Sequence, residues 1–148
     1  MRKGNYTKED KDFMYLTNCS RNASRLVELI SFVKLMNYQK IGIASCFSVK
    51  DMAEKLKQIL EKENLSVFLV NCKESKLEAS ELSENMSGLS CDPKAQAEYL
   101  NEQETDFNIN FGLCLGHGML FQKYSKAPTT TLLVKDACHK HNITENFL

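Results

Sequence analysis

The sequence carries no excess of charge, since 19 Lys and Arg balance 19 Asp and Glu. No basic stripe with interleaved aromatic residues runs along it, so nucleic-acid binding is not expected. No apolar run approaches the roughly 20 residues that span a bilayer. The start, MRKGNYTKEDKDF, has none of the apolar segment a secretory signal needs. No two cysteines form a C-x-x-C pair, which removes the commonest zinc-ribbon and thioredoxin signatures, and neither G-x-G-x-x-G nor a Walker sequence occurs. These absences lead us to expect a soluble, cytoplasmic protein that binds neither nucleic acid nor membrane.

What the chain does have is cysteine, six in 148 residues. In a reducing compartment these stay thiols unless they bind metal or do redox work. Asn-x-Ser/Thr triplets at Asn5, Asn18, Asn22, Asn64, Asn85 and Asn142 are accidents of an Asn- and Ser-rich chain and carry no weight as glycosylation sites.

Residues 1–18 are charged and unpatterned and read as a flexible N-terminal arm, with residues 19–148 as a single α/β domain. Apolar residues at helical spacing predict a helix from Ser20 to Met36, which Asn37 can end in the left-handed conformation. KIGIASC, ending at Cys46, then reads as a buried strand. Ser48 and Asp51 have capping-box spacing, and Met52, Leu56, Ile59 and Leu60 form the apolar stripe of the helix behind them. LSVFLVNC is a second strand ending at Cys72. The polar stretch from Lys73 to Asp92 is long for a plain link and predicts either a short helix or a lid. Asp92 and Pro93 start the next helix as N-cap and first residue. DFNINFGLCLG supplies a third strand, a short helix runs through Met119, Leu120 and Tyr124, and TTTLLVKD is the fourth strand. This alternation predicts a three-layer, doubly wound, Rossmann-like α/β fold with four parallel strands in the order 2-1-3-4. Gly42, inside the first strand, is expected to let a helix pack closely.

On that scaffold Cys46, Cys72 and Cys114 end strands, Cys138 follows the fourth, and Cys91 precedes a helix N-cap. All strand C-termini of an open parallel sheet lie along one edge, the edge where ligands bind. Helix N-termini point there too and favour the ionised thiol. Thiolates from Cys46, Cys72, Cys91 and Cys114 could surround a zinc ion or an iron–sulfur cluster, with His117 as a further donor. Two other readings stand beside metal binding. GLCLG has the G-x-C-x-G pattern of a nucleophile elbow, which would make Cys114 the attacking group of a thiol enzyme. Alternatively, the rim could hold a small anion at helix N-termini. Cys19 belongs to the arm or the first helical turn, and His139 and His141 to a solvated tail.

GLCLGHG is similar to the nucleophile motif of class I glutamine amidotransferases over those residues alone. That family's His-Pro-Glu triplet is absent from the tail, which offers only His139, His141 and Glu145. A wider resemblance rests on IGIASC, VNCK, CDPKAQAEYLN, GLCLGH, KYSKAPTTTLLVKD and the closing HN. From about Arg25 to Asn142 the chain resembles a family of uncharacterised prokaryotic proteins described as predicted metal-binding, domain of unknown function 1847. The resemblance implies site roles for Cys46, Cys72, Cys91, Cys114 and His117, and a metal ion or cluster as the bound partner. Relatives commonly begin with an additional cysteine-rich segment, and they tend to carry an acidic residue where this chain has Gly118.

Overall fold

Thr7 and Asp10 cap each other at the start of the chain's first helix, α1 (Lys8–Ser20). The stretch expected to be a flexible arm is therefore helical from Lys8. Its many charges hid the N-terminal signal, because a capping box draws on a hydroxyl and a carboxylate rather than on apolar spacing. Asn22 turns the chain at φ 70° into α2 (Arg25–Leu35), and Phe13 and Phe32 bring their rings to 5.6 Å. Asn37, at φ 57°, ends α2 in the left-handed conformation that its sequence position suggested. The computed structural model describes residues 1–148 and divides into two units, Met1–Tyr38 and Gln39–Leu148.

The second unit holds the sheet. Its strands are β1 (Lys40–Ser45), β2 (Ser66–Asn71), β3 (Phe107–Phe111) and β4 (Thr129–Leu133). All four are parallel, in the order β2-β1-β3-β4. Helix α3 (Lys50–Lys62) joins β1 to β2, α4 (Pro93–Glu102) joins β2 to β3, and α5 (Leu115–Tyr124) joins β3 to β4. With right-handed crossovers, this order puts α3 on one face of the sheet and α4 with α5 on the other. Helices α4 and α5 pack against each other accordingly. The fold is the Rossmann-like α/β arrangement read from the sequence.

Ile41, Ile43 and Ile109 are fully buried at the centre of the sheet, with Leu60, Leu100 and Phe121 packed from the helices. Gly42 admits α4 closely, because a Cβ there would lie 2.7 Å from Leu100 Cδ1. The buried stripe of α3 is Ala53, Leu56 and Leu60, whereas Met52 and Ile59 are exposed. Ser48 does not cap α3. It lies in a single 3-10 turn, Phe47–Val49, and Val49 takes the cap position without a side-chain bond. At α4 the expected cap is present, with Asp92 accepting from the Ala95 N–H at 2.9 Å and Pro93 following.

The polar stretch after β2 folds on itself. A bridge pairs Glu78 with Leu89, and Ser90 N–H donates to Leu77 O at 2.9 Å. Only one 3-10 turn, Ala79–Glu81, interrupts it. No helix is long and apolar enough to cross a membrane.

Candidate thiol site

Each strand delivers a chemically active residue just past its C-terminal end. Cys46 follows β1, Cys72 follows β2, Cys114 lies three residues past β3, and Lys135 two past β4. The backbone closes around these ends: Cys46 N–H donates to Phe111 O at 3.2 Å, Cys72 N–H to Ser45 O at 3.0 Å, and Gly112 N–H to Leu133 O at 2.8 Å. Gln96, on α4, clamps the same edge, its amide donating to Ser45 O at 3.1 Å and Val70 O at 3.0 Å.

Cys46 is buried and sits at the electrostatic centre of the site. The Lys135 ammonium donates to its sulfur at 3.1 Å. Ser48 Oγ lies 3.3 Å from the same sulfur and takes a short hydrogen bond from Lys135. Burial disfavours the Cys46 thiolate, but the Ser48 hydrogen bonds and then the Lys135 hydrogen bond and charge outweigh it, holding the thiol below its ordinary value. Lys135 shows the matching effect. Burial works against the ammonium, and the bond and charge of Cys46, with smaller contributions from Cys114 and Cys72, more than restore it.

Cys72 is the opposite case. Burial pushes its thiol up to about 12; the Phe47 N–H, at 3.3 Å from Sγ, works against that shift, and Cys91 and the charge of Cys46 add to it. Cys91, half-buried, places its sulfur 3.4 Å from that of Cys72.

Cys114 caps α5 in ordinary extended backbone, φ −60° and ψ 155°, with no side-chain cap bond. The strained residue of this turn is Gly112, at φ +72°, where a Cβ would also lie 2.9 Å from Val49 Cγ2. The nucleophile-elbow expectation is corrected on that ground: the turn's strain falls two residues before the thiol. Cys114 instead lines a cavity of about 310 Å³ with Asn110, Leu115, Met119, Val134 and Lys135 among its walls. Gly118 belongs to the same wall, and a Cβ there would come 2.6 Å from Asn110 Nδ2. An acidic side chain at that position would displace Asn110.

The residues named from sequence are therefore brought together in part. Cys46, Cys72 and Cys91 gather, Cys114 faces Lys135 across a cavity, and His117 stands apart. The His117 ring makes no hydrogen bond and is not among the cavity walls. No group of three or more His, Cys, Asp or Glu residues is arranged to hold a metal ion. Cys19 and Cys138 are exposed. Lys135 and Ser48 were missed. Lys135 ends the apolar run of β4 at the rim, which was a usable signal, and Ser48 had been assigned to a helix cap.

The tail is organised rather than merely solvated. Asp136 accepts from Asn146 Nδ2 at 2.6 Å and pairs with His139 Nδ1 at 3.1 Å. Its own N–H donates to His141 Nδ1 at 3.1 Å.

Fold and site together define a Rossmann-like α/β protein with a thiol-lined C-terminal rim. Comparison with known proteins places it more narrowly. The chain belongs to a protein family of unknown function, DUF1847, whose model matches residues 5–132. It is 47% identical over 124 residues to an uncharacterised protein of Methanocaldococcus jannaschii, covering 80% of this chain and 64% of that one. The matched part therefore spans a little under two thirds of the length of that curated relative. No solved structure matches the chain.

Proposed function

We propose that this is a thiol-dependent protein whose working group is the Cys46 thiolate, paired with the Lys135 ammonium and addressed by a small electrophile that enters along the Cys114–Lys135 cavity. The observation that carries the reading is the 3.1 Å contact between Lys135 Nζ and Cys46 Sγ. A thiolate is the nucleophilic form of cysteine, and a neighbouring cation keeps it available near neutral pH. Lys135 has two roles. It stabilises the thiolate, and its position on the cavity wall supports a role in orienting an incoming group that carries negative charge.

Titrating the ultraviolet absorbance of the thiolate against pH tests this without requiring reagent access. Wild-type protein should show one thiol ionising below the ordinary range near 8.5. That step should vanish in Cys46→Ser and move upward in Lys135→Met, while Lys135→Arg restores part of the shift. A wild-type curve with no early step would overturn the reading.

Metal or iron–sulfur binding by Cys46, Cys72, Cys91 and Cys114 is the second reading. The 3.4 Å approach of Cys72 and Cys91 favours it, because two thiolates on one soft ion lie comparably close. As arranged, the residues do not form a coordination site, for Lys135 takes the cation position on Cys46 and His117 contributes no contact. Stoichiometric iron or zinc in protein purified without oxygen, lost in Cys72→Ser, would put this reading first.

A further inference from the structure

The sulfurs of Cys72 and Cys91 face each other at 3.4 Å across a sequence separation of 19 residues. Their backbones are held side by side by a hydrogen bond from Asp92 N–H to Cys72 O at 2.7 Å. Each half of the pair is anchored independently. Cys72 is tied to the end of β1 through Ser45 O, and Cys91 leads directly into the capped first turn of α4. The intervening segment is closed by the Glu78–Leu89 bridge, by Ala79 N–H on Gly88 O at 2.8 Å and by Ser90 N–H on Leu77 O at 2.9 Å. A disulfide has its sulfurs about 2.05 Å apart. The remaining gap of about 1.4 Å is small against the travel of a cysteine sulfur between staggered rotamers, and Cys91 is only half-buried.

We propose that Cys72 and Cys91 are a redox couple that forms a reversible intrachain disulfide by exchange with a low-molecular-weight disulfide. Cys91, the more exposed of the two, reacts first. Its thiol gives up a proton and its sulfur attacks one sulfur of the substrate R–S–S–R. The substrate S–S bond breaks, the Cys91 mixed disulfide forms, and the departing sulfur takes up a proton as R–SH. Cys72 then loses its proton and attacks the Cys91 sulfur. The mixed disulfide breaks, the Cys72–Cys91 bond forms, and a second R–SH leaves. Two protein thiols are oxidised and one small disulfide is reduced to two thiols, so electrons and protons balance. The positions of the two residues suit the sequence of events: a reachable thiol meets the reagent, and a buried one in contact with it resolves the adduct. The proposal stands apart from the Cys46 reading, since neither step uses Cys46 or Lys135.

The experiment equilibrates the reduced full chain with glutathione buffers of graded thiol-to-disulfide ratio. Acid quenching, alkylation of free thiols, proteolysis and mass spectrometry then locate every disulfide. A Cys72–Cys91 cross-linked peptide should rise with the disulfide fraction and disappear on reduction with dithiothreitol. In Cys72→Ser a glutathione adduct should accumulate on Cys91, because the resolving thiol is gone. Cys91→Ser should show no cross-link while keeping the circular dichroism of the wild type. Cys46→Ser, which removes the early thiolate step, should keep the cross-link in full, so the two readings fail separately. Free thiols at both positions throughout the series, glutathione adducts in place of the cross-link, pairing of Cys72 with another cysteine, or loss of the cross-link in Cys46→Ser would each overturn the proposal.

Discussion

Cys46 and Cys72 each follow directly on one of two adjacent strands, and both are buried, yet they ionise in opposite directions. The difference lies in their neighbours: Cys46 has an ammonium and a hydroxyl on its sulfur, while Cys72 has another thiol and one backbone N–H. Burial alone would raise both; at Cys46 the Ser48 hydrogen bonds, and then the Lys135 hydrogen bond and charge, reverse the sign. Asp136 shows the same dependence on neighbours at the surface. Hydrogen bonds from Asn146 and His139 hold its carboxyl at about 2, below the usual value near 3.9. A carboxyl whose folded value is depressed stabilises the structure fully above the unfolded value and loses that contribution as pH falls through the folded one. The tail around Asp136 should therefore loosen between about pH 4 and 2. Nuclear magnetic resonance would follow it, with the Asn146 side-chain amide moving to its random-coil position over that interval. Asp136→Asn should give the loosened spectrum at every pH.

Among the elements, α4 positions the site more directly than any other. Its first turn is set by Asp92 and Pro93, and one turn later Gln96 reaches across to the ends of β1 and β2, the residues that lead into Cys46 and Cys72. The Gln96 amide oxygen, in contrast, is buried without a partner. Gln96→Ala removes two hydrogen bonds and leaves a void, which should cost roughly 2–4 kcal/mol. Gln96→Leu fills the space and also removes the orphaned oxygen, so its loss should be about half of that or less. Denaturant unfolding of the two variants side by side checks the ordering. The sequence made the start of α4 readable because a cap and a proline are local signals. It did not make Gln96 readable, since a glutamine within a helix is ordinarily exposed. The elbow at Cys114 was misread for a related reason: G-x-C-x-G names two glycines and a thiol, but not which of them carries the left-handed backbone. Gly112 does, because its Cβ would also collide with Val49.

Taken whole, the molecule has balanced charge and a sequence isoelectric point near 6.8. Charge repulsion between molecules is then weakest near that pH. Its solubility at low salt should pass through a minimum near pH 6.8 and rise on either side, as turbidity against pH would record. The large-scale arrangement was the most legible part of the chain. Alternating apolar runs and helical stripes pointed to a doubly wound parallel sheet, and the order expected for it, 2-1-3-4, is the one observed. The helix within the charged start was not legible, because its capping box draws on polar side chains rather than on apolar spacing.

The sequence by itself determined the alternation of strands and helices and the placement of thiols just beyond strand ends. Both depend on local spacing, on capping residues, and on the rule that parallel strands end along one edge. Only the tertiary structure decided which thiol has its ionisation favoured and which two are in contact. Lys135 lies 89 residues from Cys46, and Cys91 lies 19 from Cys72. No periodicity connects positions so far apart. Their meeting depends on the lengths of β1, β2 and β4 and on the turns that follow them, and through those contacts the same side chain is pushed toward easier ionisation at one strand end and away from it at the next.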